Sequence, residues 1–169
     1  MSLLRQTLIL VALISVGFAC DGSTGPRPEP RAETSVLVRD DTLVATMMSN
    51  ERMTWMEFTI PITIHNEGPA AVRLFSCGSG IEAETADSWQ RIYTPICALE
   101  LVVPEEIAPG QTREFDMPVH AGLAGPAAPR WEAGSIDGNY RVAIALLPVG
   151  AEGVIPLVTS NPFALVVEP

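Results

Sequence analysis

Between Trp55 and His65 the chain alternates: Met56, Phe58, Ile60, Ile62 and Ile64 share one face, and Glu57, Thr59, Pro61, Thr63 and His65 share the other. A period of two sends successive side chains to opposite faces of an extended strand, so this segment predicts a strand buried on one side and wet on the other. Pro61 has no N–H to give to a ladder, which places the strand at a sheet edge or bulges it there. The period returns at Phe115, Met117 and Val119, at Tyr140, Val142, Ile144 and Leu146, and at Phe163, Leu165 and Val167. Shorter candidates are Ser35–Arg39, Thr42–Thr46, Ala71–Phe75, Ile81–Thr85, Trp89–Tyr93 and Leu99–Val103.

Turn chemistry separates these runs. Asn66-Glu67-Gly68-Pro69, Ala86-Asp87, Pro109-Gly110 and Asp137-Gly138 all favour chain reversal. Only the Met-rich stretch from Leu43 to Met56 blurs the period toward a helix. Many short strands with frequent turns predict an all-β antiparallel sandwich over residues 35–169. Aromatic residues make up only 6% of the chain, so Val, Ile, Leu and Ala must fill its core. Ala121–Asp137 is rich in Gly, Ala and Pro, and its length marks it as either a functional loop or a loosely held one.

The first 19 residues are laid out as a secretory signal: Arg5 near the amine, an apolar run from Leu8 to Phe18, and the small residues Gly17 and Ala19 before a cleavage point. The run is too short for a mature membrane span, which needs about 20 apolar residues. Gly17-Phe18-Ala19-Cys20 resembles the lipobox of bacterial lipoproteins at Ala19 and Cys20 and departs from it at Gly17 and Phe18. The resemblance implies a diacylglycerol thioether on Cys20; an ordinary signal cut at the same bond would leave a free N-terminal thiol instead. Residues 20–34 then form a tether carrying Pro26, Pro28 and Pro30, extended by roughly 3 Å per residue. The expected division is 1–19 signal peptide, 20–34 lipidated Cys and tether, and 35–169 domain.

An odd Cys in an exported protein needs an explanation, and this chain has three. With Cys20 lipidated, Cys77 and Cys97 remain as a pair that an oxidising compartment would join. Such a bridge, closing a loop of roughly twenty residues, is worth about 3 kcal/mol. It would tie the ends of the hairpin formed by Ile81–Thr85 and Trp89–Tyr93. A redox or metal role for the two thiols lacks any Cys-x-x-Cys spacing.

The formal charge is −10, and every basic residue is Arg. That balance repels nucleic acid and anionic surfaces, because phosphate binding needs clustered cations. No catalytic constellation emerges. Gly78-Ser79-Gly80 lacks the frame of a nucleophile elbow. Asp40-Asp41 and Glu105-Glu106 are adjacent on strands and so diverge, where paired catalytic carboxylates must converge. His65 and His120 are the only two imidazoles. Met47, Met48, Met53 and Met56, with His65 further on, are the one soft-metal candidate, since thioethers and imidazole suit Cu(I); against it, Met is a common filler of irregular core gaps. Trp131, beside Arg130 and Glu132 in the 121–137 segment, is a candidate partner contact unless its indole folds back over the end of the sandwich.

Several segments together resemble the small Ig-like domains of bacterial lipoproteins and, more distantly, the intracellular proteinase inhibitor-like family. These are FTIPITIHNEG (58–68), Trp89, Pro109-Gly110 with Phe115, Gly138 with Tyr140-Arg141, and the terminal strand. The resemblance implies an Ig-like fold and carries over no site residue. The expectation is a non-enzymatic cell-envelope lipoprotein without cofactor or metal. It would be held to a membrane, inner or outer, by its lipid, with an envelope protein as partner and no nucleic acid. The alternatives are an envelope protease inhibitor presenting the 121–137 loop and a copper-binding protein using the Met cluster.

Overall fold

A computed structural model describes residues 34–96 and 104–168. The expectations for the leader at 1–19, for Cys20 and the tether, for Cys97 and for a strand at Leu99–Val103 lie outside the described residues. Among these, the chain is all-β, with ten strands: β1 (Thr34–Val38), β2 (Thr42–Ser49), β3 (Thr54–Asn66), β4 (Val72–Glu84), β5 (Trp89–Tyr93), β6 (Glu105–Ile107), β7 (Thr112–Ala124), β8 (Gly138–Pro148), β9 (Leu157–Thr159) and β10 (Phe163–Val167).

β3 centres one layer. β7 runs antiparallel to it from Thr54 to His65; on its other edge β1 pairs with residues 62–66 and the second half of β2 with residues 54–57. β4 and β8 centre the other layer, antiparallel to each other. β5 and β6 lie beyond β4, and β9 and β10 beyond β8. The first half of β2 lies parallel to β10, Leu43 opposite Leu165 and Val44 opposite Val166. β2 therefore leaves one layer and joins the other near Ala45–Thr46, making the two layers one continuous mixed sheet that does not close into a barrel. With β3 and β7 in one layer and β4 and β8 in the other, the crossings are those of an Ig-like sandwich. The all-antiparallel expectation is corrected by the β2–β10 pair. Alternation reports which face is buried, not which way a neighbour runs, and these two strands meet across nearly the whole domain.

The core lies between the layers. Met56, Ile60, Ile62 and Ile64 of β3 face Tyr140, Val142, Ile144 and Leu146 of β8, all at 2% exposure or less. Full burial of one such aliphatic side chain contributes about 1.5–3 kcal/mol. Both long sides are stitched. On one, the Asn161 side chain binds the N–H and C=O of Val38, while Ser160 donates its backbone N–H to the Val142 carbonyl and accepts the Val142 N–H on Oγ. On the other, the Tyr93 hydroxyl donates to the His120 carbonyl across the layers.

Pro61 is not at an edge, since β3 has strands on both sides. The Pro61 carbonyl accepts from the Arg39 N–H just beyond the last β1 pair, Val38 with Ile62. Its missing N–H falls in the gap between the end of β1 and the return of β2. The expected strands 71–75 and 81–85 are one strand, β4, interrupted by a bulge whose register shifts between Phe75 and Gly80. The Gly-Ser-Gly run builds that bulge. Ser79 Oγ donates to the Phe75 carbonyl and accepts the Ala145 N–H, replacing the lost ladder partner. A Cβ on Gly78 would stand 2.7 Å from the Ala145 Cβ, so only glycine lets the bulge lie this close to β8. The ambiguous stretch from Leu43 to Met56 is a hairpin, its turn held by Asn50 Oδ1 accepting the N–H groups of Arg52 and Met53.

At one end of the sandwich, Asn66 is the hub. Fully buried, it donates from Nδ2 to the carbonyls of Ala70 and Ile107 and accepts the Gly68 N–H on Oδ1. Its backbone bonds Gln111 and Gly110. Pro109-Gly110 forms the turn from Ala108 to Gln111, and Gly110 takes the positive φ of 72° that the third position of a type II turn requires. Thr34 also sits here, opposite Asn66.

Candidate functional site

The opposite end is built around the segment after β7. Gly122 N–H donates to the Pro129 carbonyl, Trp131 N–H donates back to the Gly122 carbonyl, and Glu132 N–H donates to the Ile92 carbonyl of β5. These bonds stretch residues 129–132 as a strap from the β3 layer to the β4 layer. Trp131 drops from the strap into the core at 6% exposure. Its indole meets Phe58 edge-on at 6.0 Å, Tyr93 at 6.1 Å and Tyr140 at 5.2 Å. Trp131 is therefore not a surface anchor, and the expectation of a partner contact there is corrected. The loop is long because it must cross the mouth of the sandwich and deliver a large ring that fills it.

Tyr140, at the start of β8, donates its hydroxyl back to the carbonyls of Ile136 at 2.8 Å and Ser135 at 3.1 Å. This is the tyrosine-corner arrangement of Ig-like sandwiches. Burial pushes the Tyr140 phenol above its ordinary range, the Asp137 charge adds to the rise, and the Trp131 indole opposes it. Tyr93 is pushed up in the same way, by burial first.

Three shallow clefts open around this strap end. One, of about 240 Å³, follows the strap between Glu84, Gln90, Glu132 and Asp137. A second of similar size lies between β5 and Arg130. The largest, about 360 Å³, is lined by Asp41, Glu84, Trp89, Asn139 and Pro162. Trp89 is half-buried and its ring carries the Arg141 guanidinium at 4.6 Å, a cation–π contact. Arg141 in turn makes two 2.8 Å contacts to Glu82 Oε2, and Arg91 approaches the other oxygen at 3.8 Å. Asn139 donates to Glu84 Oε2 at 2.9 Å. Trp89 is thus held rigidly on the outer face of the β4 layer, with Glu84, Asp41 and Asn139 around it.

The remaining candidates fall elsewhere. Cys77 is in the β4 bulge. Met56 is fully buried in the core, while Met47 and Met48, each 39% exposed, are consecutive on β2 and point to opposite faces. His65 stands at the far end of β3, roughly 30 Å of strand from Met56, where its Nδ1 pairs with Thr112 Oγ1. Met47 lies opposite Met56 in the β2–β3 pair, but Met48 points to the other face and His65 stands at the far end of β3, so the copper candidates do not converge on one site. His120 instead meets Glu57 at 3.3 Å on the outer face of the β3 layer. The Trp55 indole also donates to Glu57, at 2.8 Å, and that bond more than His120 holds the carboxyl below its usual range. Asp41 and Asn139 were not legible as site residues. They converge with Trp89 only because β10 lies between β2 and β8, and no local spacing records that.

No family model matches the chain, and no curated protein matches it. It is similar to a solved structure described as "X-ray structure of Northeast Structural Genomics Consortium target SoR45", at 15% identity and a TM-score of 0.46, over 79% of this chain and 86% of that one.

Proposed function

We propose that this chain is a non-enzymatic, lipid-anchored module of the cell envelope that holds its strap end out to a protein partner. One observation carries the proposal. Thr34, where the segment from Cys20 joins the domain, lies at the Asn66 end, and the clefts with the rigid Trp89–Arg141 stack open at the opposite end. An anchor on Cys20 therefore presents the strap end away from the membrane. A half-buried Trp braced by Arg is the kind of preorganised anchor that interfaces use. The bridge from Cys77 to Cys97 belongs to the same proposal and would pin the β4 bulge to the chain beyond Ile96.

Intact mass of protein from the membrane fraction tests the address: a diacylglyceryl adduct on Cys20 and a deficit of two hydrogens for the bridge are expected. An unmodified Cys20 in culture supernatant overturns it. A photo-crosslinking side chain at exposed Gln90, compared with one at exposed Thr59, tests the orientation in intact cells. A discrete envelope adduct from position 90 alone is expected, and equal capture at both positions overturns the proposal.

A further inference from the structure

The Asn66 end carries an exposed aliphatic loop. The β8–β9 connection, Val149–Pro156, has one charged residue, Glu152. Val154 is 95% exposed, and Val149 and Leu157 at its two ends are 38% and 47% exposed. The loop is tied at both ends. Val149 N–H donates to the Ala71 carbonyl, Ala151 N–H closes a turn on Pro148, and the Pro156 carbonyl accepts from Leu146. Leu157 extends the exposed apolar residues onto the first pair of the β8–β9 ladder, opposite Ala145, which is itself buried beneath the β4 bulge. The neighbouring turn adds exposed Pro69 and Ala70. Exposed aliphatic residues gathered on one loop tied at both ends mark a contact site rather than scatter.

Its place on the fold identifies what it meets. β1 starts at Thr34 opposite Asn66, and Asn66 bonds Ala70, next to the Ala71 carbonyl that holds Val149. The apolar loop and the entry of the N-terminal segment thus share one end of the sandwich. Residues 21–34 reach at most about 50 Å when fully extended, so a lipid on Cys20 keeps this end within that distance of a bilayer. At so short a tether the local concentration of the surface is high, and a weak apolar contact is enough to be occupied. Glu67 and Glu152 at its rim favour zwitterionic headgroups over anionic ones.

We infer that Val149, Val154 and Leu157 form a second, shallow membrane contact that seats the aliphatic loop at the headgroup boundary of a zwitterionic bilayer and sets the domain upright. The inference rests on lipidation of Cys20. The full lipidated protein in phosphatidylcholine nanodiscs doped with a doxyl-chain lipid tests it by methyl relaxation. Broadening several-fold greater at Val154 and Leu157 than at Val44 and Val166, which are also exposed but lie toward the strap end, is expected. Val154→Asp should abolish the excess at Leu157 while leaving amide shifts of β3 and β8 unchanged. Equal broadening at the two ends, or an excess that survives Val154→Asp, overturns the inference while the anchor stands. Absence of the adduct by intact mass overturns both.

Discussion

The two ends of this sandwich are closed by different physics. At the strap end, one indole fills the mouth, and Phe58, Tyr93 and Tyr140 pack around it from both layers. At the Asn66 end, one carboxamide satisfies three backbone groups, two from the β3–β4 turn and one from the end of β6. The first closure is apolar and depends on volume. The second is polar and depends on geometry, because a buried amide stabilises only when each of its bonds is made. The strap end, with its large ring buried, is left free to carry charged and aromatic surface; the Asn66 end, pinned by small turns, leaves an aliphatic loop outside.

This contrast can be broken most severely at the indole. Trp131→Ala should destabilise the domain by about 3–5 kcal/mol, as large aromatic truncations in packed cores do, read as a lowered urea midpoint. Trp131→Phe should recover more than half of that loss. Asn66→Ala should cost about 2–3 kcal/mol, since it strands the Gly68 N–H and two carbonyls. Asn66→Asp should not rescue it, because a carboxylate cannot donate to Ala70 and Ile107. Tyr140→Phe removes only the corner bonds and should cost about 1–1.5 kcal/mol.

Tyr140 also sharpens the contrast through pH. Its phenol titrates above an ordinary value of about 10 because the folded state favours the neutral form. Its contribution is fully present below pH 10 and is lost as the pH rises through the elevated value. Alkaline melting curves should therefore fall above pH 10, and less steeply in Tyr140→Phe. The smallest effect is expected at neither end. Arg39 bridges Glu114 and Asp116 at the surface, and Arg39→Ala should change stability by less than about 0.5 kcal/mol in 0.15 M salt.

The strands and the core face were legible wherever alternation was strict. β5 and β10 occupy the expected residues, and the inward apolar residues of β3, Met56 to Ile64, were assigned from their period alone, whereas its buried last residue, Asn66, was read as part of a turn. The failures share a cause. The β4 bulge, the switch of β2 between layers and the interior place of Pro61 are set by partners far along the chain, and a local period carries no information about them. β6 and β9, three residues each, are too short to show a period. Trp131 stayed between two readings, a partner contact and an indole folded over the sandwich end, for a related reason: its flanks, Arg130 and Glu132, are polar, and the backbone bonds to Gly122 and Ile92 that turn the ring inward leave no local trace. The cleft at Trp89 was invisible because its residues come from four separate segments.

The direction in which β1 leaves the domain has a mechanical consequence. Its five residues pair with β3 from Thr34 at the very end inward to Val38, so a pull on the chain at residue 34, away from the Asn66 end, runs along the strand axis. Its ladder bonds are then loaded together, as in shear, rather than opened one after another like a zip. With a partner gripping the strap end, tension would pass lengthwise through both layers, which is the orientation in which paired strands resist rupture best.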